Sequence, residues 1–397
     1  MLKTIRTSLY ILSTALFVFA CGEDSNPVTE TKNFTSIFDS NQFTDGFYPI
    51  DMQQTTDGGY VVLAESELPD TQLTGVYLLK ADKYGNFVKF IKADTLNNPV
   101  GRLSKIADKY YFFCMNNTDA KLASFDETLD NFSIADVAYT NPAASAPLEN
   151  GFLLLSVNTD SKQTIIAQIG VDGGTIRDKG FTFGDGDDSE KPLSEHFLKQ
   201  GKQFPFDVGV VSPGVYYFNG FYDYSFSLIF TNMTSDDPIG ITAGQNDDGG
   251  FSALVPLSSS KYAAARFNFG ENYFLPSTTI VATSQNIPST QLGGLTIPEL
   301  ISETKVKILR STINQKNVLI YAADTETRQI GLYFYDEATG AFIGSKYLGF
   351  SNPFTIGNLI NTEDGGIAVV GTTYLAGRFA RLCIFKLSKE EVASNVK

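Results

Sequence analysis

The chain has no tryptophan, a single histidine (His196) and three cysteines (Cys21, Cys114 and Cys383) in 397 residues. Each shortage removes a class of chemistry. With one histidine, a Ser-His-Asp triad would hang on His196 alone, and multi-histidine metal centres are excluded. Cys114 and Cys383 lie in dense apolar runs, Tyr110–Met115 and Leu382–Leu387, and read as two buried thiols rather than a disulfide framework. No G-x-x-x-x-G-K-[ST] motif occurs, and Gly170-Val171-Asp172-Gly173-Gly174 reads as a hairpin turn rather than a nucleotide-binding loop. A basic stripe is missing too, and the net charge of −14 argues against nucleic acid as a partner. Helical signals are confined to Lys389–Asn395 and Pro298–Thr304.

The first twenty residues carry the three parts of a secretory leader: Lys3 and Arg6, an apolar stretch from Leu9 to Phe19, and small Ala20 before Cys21. The apolar run is too short to span a bilayer core, which favours a cleaved leader. Val18-Phe19-Ala20-Cys21 resembles the bacterial lipobox, in which the cysteine is acylated and becomes residue one. That resemblance implies lipid attachment at Cys21 and an extracytoplasmic, membrane-anchored protein, where two or more acyl chains anchor stably. Gly22-Glu23-Asp24-Ser25 looks like the acidic export signal of Bacteroidota surface lipoproteins, which implies the outer membrane or cell surface. Residues 22–32 are polar and aperiodic, a flexible tether. Cleavage would remove Lys3 and Arg6 and no acid, taking the net charge from −14 to −16.

What the remaining chain has in abundance is Phe (32), Tyr (19) and Gly (34), the composition of many short strands and tight turns. A repeat organises them. Its clearest copy runs from strand Phe47–Met52 through the turn Thr56-Asp57-Gly58-Gly59 to strand Tyr60–Ala64. It continues with strand Val76–Ala81, the turn Asp82–Asn86 and strand Phe87–Ile91. Asp-Gly between apolar runs supplies the positive φ of a hairpin turn. Six fainter copies centre on Tyr110–Met115, Gly151–Leu155, Val215–Phe218, Gly249–Val255, Asn317–Ala322 and Gly365–Val370. The spacing is roughly 52 residues, near the ~50 of kelch-type arrays.

Asp57-Gly58-Gly59-Tyr60-Val61-Val62, followed by Val76–Asp82 and Gly85-Asn86, resembles the Asp-Gly-Gly-Tyr β-propeller repeat of bacterial surface and secreted proteins. Asp364-Gly365-Gly366-Ile367 with Ile384-Phe385-Lys386-Leu387 matches nearly as well. The resemblance implies an all-β, seven-bladed β-propeller over 33–397, with six or eight blades as alternatives, and it implies no reaction. The last copy runs out of chain at its third strand, so Phe34–Phe38 is expected to pair with Arg381–Leu387 and close the ring. Lacking tryptophan, the chain lacks the Asp-box of sialidase propellers and the docking motif of quinoprotein dehydrogenases.

Three inserts, Glu65–Gly75, Gly184–Phe206 and Tyr273–Lys305, are expected on one rim of such a ring, where loops carry function. They hold Phe197, Phe204, Phe206, Tyr273 and Phe274, which either form a binding platform or fold back to cap the strands beneath. Asp185, Asp187, Asp188 and Glu190 form an acidic loop, read either as a Ca²⁺ site or as a solvated surface; no other cofactor is implied. The leading reading is a non-catalytic module that binds a glycan or an envelope protein. A carboxylate-based polysaccharide hydrolase or lyase, and a structural envelope subunit, are the alternatives; oligomeric state is left open.

Overall fold

The computed structural model describes residues 33–39, 45–68, 73–302, 304–375 and 379–396. The leader, Cys21 and the tether expected over 1–32 lie outside them. Among the described residues no helix is long and apolar enough to cross a membrane.

The two sharpest copies of the repeat are built from the same turn. Gly58 and Gly365 have φ of 78° and 79°, the left-handed region a side chain disfavours. Their neighbours Gly59 and Gly366 are required by contact: a Cβ would sit 2.4 Å from the Ala81 carbonyl oxygen and 2.2 Å from that of Leu387. Asp57 Oδ1 accepts hydrogen bonds from the Thr55 hydroxyl (2.6 Å) and the Gly59 amide (2.9 Å). Asp364 does the same with Thr362 (2.6 Å) and Gly366 (3.1 Å). From the third strand, Lys80 and Lys386 each reach their aspartate at 2.9 Å, with side chains only 6% exposed. A lysine that deep requires a counter-charge. The Asp-Gly-Gly turn and the lysine that follows are therefore one device, tying turn to strand. Burial pushes the Asp57 carboxyl up, but the bonds from Thr55, Lys80 and Gly59 outweigh it and hold the pKa down at about 2.

All but a few of the described elements are strands, and the fold is all-β. Phe47–Gln54, Tyr60–Glu67, Thr74–Ala81, Phe87–Ile106, Lys109–Asn116, Asp119–Asp126 and Ser133–Thr140 form one seven-stranded antiparallel sheet. Phe87–Ile106 serves twice within it, pairing first with Thr74–Ala81 (Leu79 opposite Phe90) and then with Lys109–Asn116 (Ser104 opposite Tyr111). Five further sheets follow in chain order, with first strands Pro142–Leu148, Asp207–Ser212, Gly249–Pro256, Lys307–Ile313 and Phe354–Asn361. The final sheet, Phe354–Asn361, Ile367–Tyr374 and Ala380–Leu387, takes its fourth strand from the start of the body. Phe34–Ile37 lies antiparallel to Ala380–Leu387, Phe34 opposite Lys386 and Ile37 opposite Cys383. The Phe38 amide extends that pairing to Leu382 (2.9 Å).

Successive groups of strands pack face to face through apolar clusters. One cluster joins Met52, Tyr60 and Val62 of the first group to Ala368, Val370 and Ile384 of the last. The first strands lie side by side in the same order, and Phe354–Asn361 lies beside Phe47–Gln54. Because both faces of each sheet are covered, middle strands such as Tyr60–Glu67, Gly151–Asn158 and Ile367–Tyr374 are almost wholly buried, whereas the outer strands Ser133–Thr140 and Thr175–Thr182 are exposed at half their positions. Cys114 and Cys383 are free and buried in separate clusters. Burial lifts the Cys114 thiol to about 12.

Three expectations shift. Glu190–Phe197 forms a helix (α1) that the local pattern does not announce, while the described part of the segment expected as helical, Pro298–Ser302, holds turns and a bridge. Lys389–Ala393 is helical (α2) as expected, capped by the Ser388 hydroxyl accepting from the Glu391 amide at 3.2 Å. The segment Tyr273–Lys305 is only partly an insert. Its first residues belong to strand Glu271–Thr279, and the rest laces two sheets together. Ile287–Pro288 pairs in parallel with Gly240–Ala243, and Leu295–Thr296 pairs with Tyr273 and Phe274.

Candidate functional site

The residues of α1 and just after it show how the Gly184–Phe206 insert is held. Phe204 is buried among Phe183, Leu193, Phe221 and Phe226, with ring centroids 5.0 Å from Phe221 and 5.2 Å from Phe226. Phe206 packs edge-on to Phe226 at 5.4 Å, and His196 lies 4.9 Å from Phe206. His196 Nδ1 accepts the Phe204 amide at 3.0 Å. Burial, with Lys199 and Lys305 nearby, pushes its pKa down to about 3, so the lone histidine is a neutral structural acceptor. Asn98 donates to the Phe197 carbonyl (2.8 Å), and Lys199 meets Glu65 at 2.6 Å. The insert is thus fastened to the neighbouring strand and to the Glu65–Gly75 insert.

Beside it opens a cavity of about 800 Å³. All three inserts contribute: Glu65, Glu67 and Thr74 from the first, Phe197, Lys199, Lys202, Phe204 and Phe206 from the second, and Ser302, Thr304 and Lys305 from the third. The first strands add Pro49, Ile50, Gly101, Pro142, Ser252, Lys307 and Gly357. Apolar rings therefore stand beside ammonium and carboxylate groups in one concave space, the usual form of a ligand site.

The ends of the first strands also carry a separate polar network. Asp51 accepts from the Leu103 amide and the Met52 amide at 2.7 Å each, and from Asn358. Asp207 accepts from Tyr217 (3.0 Å) and lies 3.6 Å from Arg102. Burial pushes both carboxyls above the ordinary range against these partners. Neither lines the cavity; both stitch one sheet to another. The network escaped the sequence because nothing local marks Asp51 or Asp207 among 44 acids.

The five aromatic residues anticipated as a platform separate. Phe197 and Phe206 are half-buried and line the cavity with Phe204, so capping and lining are done by the same rings. Phe274 is fully buried in a strand, stacked on Tyr321 at 4.5 Å. Tyr273 lies under the Arg266 guanidinium at 3.8 Å and bonds Glu271. Both sit in regular strand, since the insert begins only after them. In the acidic loop, Lys162 meets Asp185 at 2.6 Å and Glu190 at 2.9 Å. Glu190 also accepts the Gly186 amide at 2.9 Å. An ammonium already stands between two of the four carboxylates proposed for calcium, and no group of three or more metal-binding side chains occurs among the described residues.

The sequence matches no family model and no curated protein. Its fold resembles solved structures at low identity. The β-propeller domain of the Trilobed protease from Pyrococcus furiosus is 10% identical, with 86% of this chain and 93% of that chain covered and a TM-score of 0.46. Saccharomyces cerevisiae Sqt1 is 12% identical over 88% and 98%, TM-score 0.45. The acylaminoacyl peptidase of Pyrococcus horikoshii is 11% identical over 88% of this chain and 50% of that one, TM-score 0.45.

Proposed function

We propose that this protein is a lipid-anchored, extracytoplasmic β-propeller of seven blades that binds a glycan or protein partner without transforming it. The blade count rests on the strand groups, one of which shares Phe87–Ile106 with its neighbour, and on the packing of the first group against the last. The binding role rests on one observation: three inserts distant in sequence converge on a single cavity of about 800 Å³ lined by rings and charges. Anchoring rests on the lipobox-like segment ending at Cys21.

The acids of the cavity favour binding over hydrolysis. A glycosidase needs two carboxyls free to act across a cleft. Here Glu65 is paired with Lys199 (2.6 Å), Glu67 accepts from Tyr48 (2.8 Å) and Gly46 (3.3 Å), and Asp248 lies 3.8 Å from Lys202.

The test is a Cys21→Ser chain applied to glycan arrays and to envelope pulldowns, alongside a Phe206→Ala variant. Enrichment of one partner class that the variant loses supports the reading. Turnover of a polysaccharide by the same chain, or equal capture by wild type and variant, defeats it. Fatty-acid labelling that persists in Cys21→Ser defeats the anchor.

A further inference from the structure

The charges around the cavity do not balance locally. Its lining carries four lysines (Lys199, Lys202, Lys305, Lys307) and three carboxylates (Glu65, Glu67, Asp248). His196 adds no charge. This is a local excess of positive charge in a chain whose net charge is −14. Two of the lysines are already spent on protein partners, Lys199 on Glu65 and Lys202 on Asp248 and the Asp247 carbonyl.

Lys305 and Lys307 differ. Among the described residues neither ammonium makes an ion pair or a hydrogen bond. Lys307 opens the strand Lys307–Ile313, Lys305 lies in the segment just before it, and both line the cavity. Asp51 and Asp207 attract Lys307 electrostatically, but their direct contacts are with Leu103, Met52, Asn358, Tyr217 and Arg102. Burial, reinforced by Lys305, pushes Lys307 below the ordinary lysine range. Lys305 repels the Lys307 ammonium while Asp51 and Asp207 attract it from beyond ion-pair distance, so an anion seated between the two lysines adds the direct partner that neither has.

We infer that the cavity takes an acidic sugar, its carboxylate or sulfate seated between Lys305 and Lys307 and its apolar ring face laid against Phe197 and Phe206. This rests on the binding reading above and narrows it to a ligand class. A neutral glycan would use the rings and leave both ammoniums unanswered. A bare inorganic anion would use the ammoniums and leave the rings dry. Only a ligand with both an anionic group and an apolar face answers all four residues.

The test measures binding to the Cys21→Ser chain by calorimetry, with oligogalacturonate, a sulfated oligosaccharide and a neutral oligoglucoside of equal length as probes, and inorganic phosphate as competitor. At least one acidic probe is expected to bind, to weaken with added salt, and to lose about tenfold or more in affinity, ~1.4 kcal/mol, in Lys307→Met. Lys305→Met, at an exposed position where folding is not at stake, is expected to lose affinity in the same direction. Phe206→Ala should weaken the acidic sugars without affecting phosphate. If the neutral probe binds as well as the acidic ones and is indifferent to both lysine variants, the charge inference falls while the binding role stands. If phosphate displaces the acidic sugars at equal concentration, the sugar assignment falls. If no glycan binds and Phe206→Ala also captures partners normally from envelope extracts, the inference and the reading beneath it fall together.

Discussion

The first and last sheets and the sheet that begins at Asp207 meet the same demand, fastening strands across a turn, with different chemistry. In the former, a turn aspartate holds a buried lysine: Asp57 with Lys80, Asp364 with Lys386. In the latter, rings do the work, as Phe221 and Phe226 close on Phe204 and Phe206 from the insert. A polar tie demands particular residues at particular offsets, so it leaves a motif in the sequence. An apolar cluster asks only for volume and shape, so it leaves none. The insert held by those rings also lines the cavity, facing residues of the regular first sheet such as Ile50, Glu65 and Glu67. Regular sheet and ring-held insert therefore build the cavity together.

This contrast can be broken or sharpened. Phe226 is fully buried and touches four rings of the cluster, so Phe226→Ala is expected to cost about 3–5 kcal/mol in denaturant unfolding. A loss under about 1 kcal/mol would mean the insert is held mainly by its polar contacts, and the contrast would collapse. A third kind of tie is intermediate. Asp324 is buried and accepts the Ile356 amide of the next sheet at 2.6 Å, while burial pushes its pKa up to about 7. The folded protein then holds a proton that the unfolded chain releases above its ordinary pKa near 3.8. Stability should fall as pH rises from 4 to 7 and level off beyond. Asp324→Asn, which keeps the acceptor, should flatten that slope and stabilise the protein above pH 8 by about 2–4 kcal/mol. A wild-type profile without the slope would refute this.

Removing a regular tie should matter less, because Asp57 is 57% exposed and water can reach the lysine it leaves behind. Asp57→Ala is expected to cost about 1–3 kcal/mol at pH 7. The carboxyl is held below its unfolded value, so the tie contributes fully above pH 4 and is lost as pH falls towards 2. Wild type and variant melting curves should therefore converge in acid; curves that stay parallel to pH 2 would assign the effect to the turn backbone instead. The smallest expected effect is Gly58→Ala at φ 78°, about 1 kcal/mol, read as a small shift in melting temperature.

How far the fold could be read beforehand follows the same division. The Asp-Gly-Gly turns, the alternation into buried middle strands and the spare segment at Phe34–Phe38 were all visible, because each depends on local pattern or on an edge that must be paired. Helix α1 was not. Its sequence, Glu190 to Phe197 with a proline at 192, is held as a helix by Leu193 and Phe197 packing on distant phenylalanines. Tyr273 and Phe274 were placed in an insert for a related reason. The fourth strand of their sheet is reduced to Leu295–Thr296, too short to register as a pattern, so the third strand looked like the start of a loop.

Of the site, the three inserts were legible as interruptions of a repeat, and the rings within them as material for a surface. Lys305 and Lys307 were not, since two lysines among thirty basic residues carry no distinguishing mark. Their meaning comes from what lies across the cavity: Glu65, Glu67 and Asp248 are already engaged, and among the described residues no carboxylate forms a direct ion pair with either lysine. Sequence by itself determined the strands, the turns and the partner for the open edge, because those follow from periodicity and backbone hydrogen bonding between predictable segments. Only the tertiary structure decided which charges meet and which are left over, because that balance depends on groups up to hundreds of residues apart brought within a few ångströms.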